Sequence, residues 1–101
     1  MLSLFVPYPA YAESVFVKYR GPVDLAPFNC QTVTKSSLVR RVCYDQKESY
    51  MLISLNGTYY HYCGIGMQTV SGLLNAGSMG RYYNTFIKGS FDCRLNRVPA
   101  Y

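Results

Sequence analysis

The chain has 101 residues, enough for one small domain, and half of them are hydrophobic, which excludes a wholly disordered protein. No apolar run reaches the roughly 18–20 residues of a membrane-spanning helix, so no membrane span is expected. The net charge of +5 favours an acidic partner such as nucleic acid or anionic lipid.

Residues 1–12 resemble the end of a signal peptide. Ala10-Tyr11-Ala12 fits the small-x-small pattern of a cleavage site, and Pro7 and Pro9 would end a helix just before it. No basic segment precedes them, which a start codon assigned too far downstream would explain. We therefore predict a signal-peptide remnant and a periplasmic or secreted protein. The alternative is a mildly apolar N-terminus with no targeting role, and a cytoplasmic protein.

Residues 13–32 are predicted to hold an N-terminal strand and a connector. The alternation of Val15, Val17 and Tyr19 indicates a short strand over 13–20. The segment "GPVDLAPFN" that follows contains two prolines and a glycine, which is typical of a connector.

Four further strands are predicted before residue 64. "CQTVT" and "LVRRVCYD" would flank a turn at "KSS", with a bulge because Val39 and Val42 are three residues apart. "YMLISL" and "TYYHYC" flank Asn56-Gly57, the dipeptide most typical of a type I′ hairpin turn.

Two helices are predicted after Gly66. In the first, Met67, Val70 and the Leu73-Leu74 pair recur at helical spacing, and the helix would end with Gly77 in left-handed geometry. Ser78 would cap the second helix, and Gly89 would stop it. The apolar stripe of this second helix consists of Met79, Tyr82, Tyr83, Phe86 and Ile87. The predicted fold is α+β, a small antiparallel sheet of three to five strands with two C-terminal helices packed on one face.

The four cysteines are predicted to form two disulfides. No CxxC pair occurs, which argues against zinc. A hairpin across "KSS" brings Cys30 near Cys43, although the bulge weakens this argument, and leaves Cys63 for Cys93. The rival Cys43–Cys63 pair is rejected because the simplest register places these two residues on opposite faces of the sheet.

These segments together resemble the KTSC domain family, named for its occurrence at the C-terminus of some lysyl-tRNA synthetases. The resemblance spans about residues 33–93, before a tail over 94–101. It is carried by "SSLVRRVCYD", "NGTYYHY", "LLNAGSMGRYYN" and "IK". The family has no settled function, and its association with the synthetase implies RNA binding. Cys43 stands where the family often has glycine, and four cysteines are not typical of it.

One hypothesis is a non-enzymatic module that binds RNA or another polyanion. Tyr60 and Tyr62, on one face of a strand, would stack on bases. The alternative is that both tyrosines pack under the helices. The residues expected to hold phosphates are Arg40, Arg41, Arg81 and Lys88.

The second hypothesis is an exported, disulfide-stabilised domain that binds a protein or is structural. No triad, carboxylate pair or glycine-rich phosphate loop indicates an enzyme, so we expect no catalytic residues, no cofactor and no metal. His61 is the only histidine, and it is predicted to be a surface residue rather than a catalytic one.

Overall fold

One antiparallel meander is the centre of the fold. A computed structural model describes residues 13–101, so the predicted signal-peptide remnant lies outside the described residues. The strands are β1 (Ser14–Val17), β2 (Gly21–Asp24), β3 (Asn29–Thr32), β4 (Val39–Asp45), β5 (Tyr50–Leu55) and β6 (Thr58–Cys63). The helices are α1 (Met67–Asn75) and α2 (Met79–Tyr82), and α2 continues as a π-helical turn over Tyr83–Ile87. The strands form one sheet in the order β2-β1-β6-β5-β4-β3.

The predicted α+β class is confirmed, but the sheet has six strands rather than three to five. The predicted connector contains β2, which pairs with β1 from Ser14↔Asp24 to Val17↔Gly21. Proline is tolerated in β2 because this strand lies at the outer edge of the sheet, where a missing donor breaks no ladder. The connection between the two strands needs positive φ at Tyr19 (73°) and Gly21 (102°).

Two local predictions within the meander are confirmed. Asn56 and Gly57 both have positive φ, 52° and 92°, as a type I′ turn requires, and Leu55 pairs with Thr58 across it. The register of β4 against β5 shifts between Val39 and Arg41, which is the predicted bulge. The bulge lets Val39 and Val42 face the same side of the sheet.

The register between β4 and β5 differs by one residue from the simplest register, which placed Cys43 opposite Met51. Cys43 lies opposite Leu52, whereas Met51 lies opposite Tyr44. Cys43 and Cys63 therefore share a sheet face, and the reason given for rejecting that disulfide was wrong. What separates the two cysteines is β5 between their strands: strands lie about 4.8 Å apart, so residues two strands apart exceed the roughly 7 Å Cα limit of a disulfide.

The helices pack on one face of the sheet, as predicted. The Ser78 side chain caps α2 by accepting a hydrogen bond from the Arg81 N–H. Gly89 ends the helical segment with φ of 82°. Gly77 is not in left-handed geometry, because α1 ends instead at Ala76 in extended conformation. The buried residues of this core are Val39, Val42, Met51, Ile53, Ile65, Val70, Leu73, Met79, Tyr83 and Ile87.

The π-helical turn explains which aromatic residues of the second helix are buried. Tyr83 and Ile87 are buried, whereas Phe86 is 55% exposed. The wider turn, closed by the Lys88 N–H donating to the Tyr83 carbonyl, places Met79, Tyr83 and Ile87 on the core side.

The opposite face of the sheet carries a second core beneath the β1–β2 hairpin and the C-terminal tail. The Arg20 guanidinium donates to the Pro99 carbonyl at 2.7 Å, and the Tyr101 hydroxyl donates to Asp45 Oδ2 at 2.7 Å. The Phe28 and Tyr101 rings lie 5.2 Å apart. The buried residues of this second core are Val17, Val23, Leu25, Cys43, Tyr50, Leu52 and Cys63.

No helix within residues 13–101 is long and apolar enough to cross a bilayer.

Lys35 closes the C-terminal end of α1. Its ammonium donates to the carbonyl oxygens of Leu74 (3.1 Å) and Ala76 (2.9 Å). We expect Lys35→Met to lower the free energy of unfolding by about 0.5–1 kcal/mol, since a cation at a helix C-terminus satisfies otherwise unpaired carbonyls. Urea unfolding measures this, with Lys47→Met as the matched exposed control. Equal stability of the two variants would contradict the capping role.

Candidate functional site

The outer edge of β6 is open over a short stretch. β1 runs parallel to β6 but pairs with it only at Val17↔Tyr59, where the Lys18 N–H donates to the Tyr59 carbonyl at 2.8 Å. Further along, the Cys63 N–H donates to the Phe91 carbonyl at 2.9 Å. Tyr59 and Cys63 thus direct backbone groups away from β5.

His61 lies midway between these two contacts. Backbone groups of an antiparallel strand alternate between its two neighbours, so the His61 N–H and C=O also point outward. No strand among residues 13–101 pairs with His61 on that side. The sheet therefore has a gap at His61, flanked by the end of β1 and by Phe91.

A cleft of about 640 Å³ opens at this gap. Tyr19, 82% exposed, stands at one wall, and the loop after the π-helical turn forms the other. The residues that line the cleft are Tyr19, Tyr60, His61, Tyr62, Gly89, Ser90, Asp92, Cys93, Arg94 and Val98.

The two tyrosines predicted to stack on bases both line the cleft, half-buried on the helical side of the sheet. The Tyr62 hydroxyl is hydrogen-bonded to the Tyr83 hydroxyl, and the two rings meet edge to face at 6.0 Å. Burial and this hydrogen bond raise the pKa of Tyr62. The Tyr60 ring lies beside a charged group instead, with the Lys18 ammonium 5.8 Å from its centre.

The four predicted phosphate contacts lie outside the cleft. Arg41 lies on the opposite sheet face, where its guanidinium contacts both carboxylate oxygens of Glu13 at 2.6 and 3.0 Å. The hydrogen bond from Arg41 lowers the pKa of Glu13. Arg40, Arg81 and Lys88 are exposed.

Three charged groups were not among the predicted site residues: Asp92 and Arg94, which line the cleft, and Lys18, which lies beside two lining rings. The Lys18 ammonium also lies 5.5 Å from the centre of the Tyr19 ring. Arg94 is held by Asp92 through several hydrogen bonds, the shortest 2.7 Å, and these bonds lower the pKa of Asp92. Lys18 and Tyr19 directly follow the last paired residue of β1, whereas the sequence predicted a strand that continues through them. Locating the end of β1 correctly would have indicated that these two residues lie beside an open edge.

His61 is partly buried, and its side chain joins a polar network on the second sheet face. The Tyr50 hydroxyl lies 2.8 Å from His61 Nδ1 and accepts a hydrogen bond from Arg20 at 2.9 Å. Burial, and then the Arg20 charge, lower the pKa of His61. The expected surface histidine is thus half-buried and held in the neutral form.

This network predicts a stability that depends on pH. Because the folded-state pKa of His61 lies below the unfolded value of about 6.5, the unfolded chain binds more protons as pH falls through that range. The contribution of His61 to the free energy of unfolding should therefore be complete above about pH 7 and decrease as the pH falls below about 6.5. His61→Gln should flatten this part of the profile in urea unfolding. An unchanged slope in the variant would contradict the role of His61.

The structure pairs the cysteines as the sequence predicted. Cys30 is bonded to Cys43, with Cα atoms 3.9 Å apart, directly across β3 and β4. Cys63 is bonded to Cys93, which ties the tail to the end of β6 beside the cleft. Within the described chain, no three His, Cys, Asp or Glu side chains are grouped so as to hold a metal ion.

Comparison with known proteins assigns the family. The sequence profile of the KTSC domain matches residues 35–91, more than half of the chain. A crystal structure of a KTSC domain protein from Yersinia pestis superposes with a TM-score of 0.60 at 27% identity, covering 64% of this chain and 92% of that one. No match is found among curated proteins. Taken with the meander and the helices on one face, these matches show that the chain belongs to the KTSC domain family.

Proposed function

We propose that this chain is an exported, disulfide-stabilised protein-interaction domain without catalytic activity. The observation that carries the proposal is the placement of the two disulfides. Each joins a cysteine inside the family-matched stretch, Cys43 or Cys63, to one outside it, Cys30 or Cys93. Disulfides of this kind persist in oxidising compartments, where they stabilise domains too small to bury a large core.

The cleft at the β6 edge is the proposed binding site. It combines exposed aromatic surface with an unpaired backbone edge, and tyrosine is among the residues most enriched where proteins bind one another. Tyr19 supports this choice, since its ring is 82% exposed and its backbone has a φ of 73°, which a non-glycine residue adopts at a cost.

A polyanion such as RNA is the second candidate ligand. The Lys18 ammonium beside the Tyr19 and Tyr60 rings favours it, as does the net charge of +5. The Tyr62 ring argues against it, because a half-buried ring that packs edge to face with Tyr83 offers less surface for stacking on a base. A mobility-shift titration with single-stranded RNA at low salt tests this candidate, since phosphate contacts are strongest there.

Site-specific crosslinking in the native host tests the protein-interaction function. A photoreactive residue at position 19, in the cleft, is compared with one at position 46, which is exposed and outside the cleft. Adducts that protease removes and nuclease leaves intact should form from position 19 and not from position 46. Nuclease-sensitive adducts, or none from position 19, would contradict the proposal.

A further inference from the structure

The gap beside β6 has the dimensions of a short extended segment. Tyr59 and Cys63, whose outward backbone groups are already bonded, are four residues apart, or about 14 Å at the rise of a β-strand. Lys18 and Phe91 occupy the two ends of this interval. About three residues of an added strand fit between them.

A strand placed there would complete the sheet at His61. Its central residue would donate its N–H to the His61 carbonyl and accept from the His61 N–H, as in a hydrogen-bonded antiparallel pair. Main-chain bonds of this kind supply affinity when proteins add a peptide strand to an exposed sheet edge.

The gap is bounded by Lys18 at one end and by Phe91 at the other, so a polypeptide that continues in both directions has to leave the sheet at both ends. A chain terminus can lie inside the gap, and its chain then has to leave the sheet at one end only.

The charges select which terminus enters. Lys18, at the Tyr59 end of the gap, forms no ion pair with any of residues 13–101. Arg94, in the wall of the cleft beside the other end, is already paired with Asp92. An antiparallel strand on β6 ends towards Tyr59, which brings its terminal carboxylate to the unpaired ammonium.

We propose that the gap beside His61 binds the carboxyl-terminal end of another polypeptide as an added antiparallel strand. The inference rests on the proposed protein-interaction function and names its ligand class. Lys18 holds the terminal carboxylate, the His61 backbone pairs with the ligand backbone, and Tyr19 and Tyr60 contact the ligand side chains.

Two peptide libraries test this inference. N-acetylated random hexapeptides, one set with a free carboxylate and one with a terminal amide, are passed over immobilised, oxidised protein, and retained peptides are quantified by mass spectrometry. Free-acid peptides should be retained about tenfold or more over amides, because a hydrogen-bonded ion pair is lost in the amide. Equal retention of the two sets, or retention of neither, would overturn the proposal.

Variants of protein and peptide separate the two parts of the site. For the best free-acid peptide, Lys18→Gln should weaken binding about tenfold, whereas Lys47→Gln, outside the cleft, should not. N-methylation of the peptide amide that faces the His61 carbonyl should also weaken binding about tenfold, without altering the protein. Insensitivity to either change would contradict the assigned contact. If neither library is retained but position 19 still crosslinks to protein, the inference fails and the proposed function stands.

Discussion

Replacing Cys63 and Cys93 together by alanine is expected to lower the free energy of unfolding of the oxidised protein by about 4 kcal/mol. The bond closes a loop with a sequence separation of 30, and a crosslink over a longer loop removes more conformational entropy from the unfolded chain. The loop contains α1, α2 and the π-helical turn, so the bridge also fixes the helical layer at both ends. Urea unfolding at pH 7 measures the difference.

The second disulfide supplies the control for this prediction. Cys30 and Cys43 close a loop with a sequence separation of only 13, so their double alanine variant should lose about 3 kcal/mol. Under reducing conditions the wild type should approach both variants, because the crosslinks are then absent from all three proteins. A Cys63/Cys93 variant that loses less than about 1 kcal/mol would show that the bridge does not restrain the helical layer.

Tyr50→Ala is expected to lower the free energy of unfolding by about 3–5 kcal/mol, the range for truncating a buried aromatic ring. Tyr50 is fully buried, and its ring centre lies 6.0 Å from those of Phe28 and Tyr101. The Arg20 guanidinium carbon lies 5.3 Å from the Tyr50 ring centre. Truncation would remove the side chain on which both the region after β1 and the C-terminal tail pack.

Tyr50→Phe separates the ring from the hydroxyl. This variant retains the packing and loses the hydrogen bonds with Arg20 and His61, so it should cost about 2 kcal/mol, roughly 1 kcal/mol for each bond. Thermal and urea unfolding of both variants give the comparison. If Tyr50→Ala cost no more than Tyr50→Phe, the second core would contribute little to stability.

The features predicted correctly from the sequence are those that depend on a few neighbouring residues. Asn56-Gly57 needs positive φ at both positions, and Ser78 offers an oxygen to an otherwise unpaired helix N–H, so both could be located from a few residues. The bulge could be located in the same way, because Val39 and Val42 are three residues apart and only an extra residue in the strand keeps both on one face of the sheet.

Features that depend on tertiary partners were missed. The segment that contains β2 is predicted to be a connector because it holds two prolines and a glycine, yet pairing with β1 at the sheet edge offsets the cost of Pro22. The face of Cys43 was misjudged because the turn before β5 has four residues, Gln46 to Ser49, between the paired Asp45 and Tyr50. A slip of one residue reverses the face of every side chain in a strand.

The candidate site was harder to predict for a related reason. An open sheet edge results from where a neighbouring strand stops, and local sequence did not show that β1 leaves β6 after Lys18. The cleft combines that departure with the return of the chain at Phe91, which is far away in sequence.

The state of the four cysteines in protein isolated from its native host tests most directly the claim that this is an exported, disulfide-stabilised domain. Thiols are blocked at lysis, the protein is digested without reductant, and linked peptides are identified by mass spectrometry. We expect one peptide pair joining Cys30 to Cys43 and one joining Cys63 to Cys93. Four freely alkylated cysteines, or a peptide joining Cys43 to Cys63, would contradict the claim.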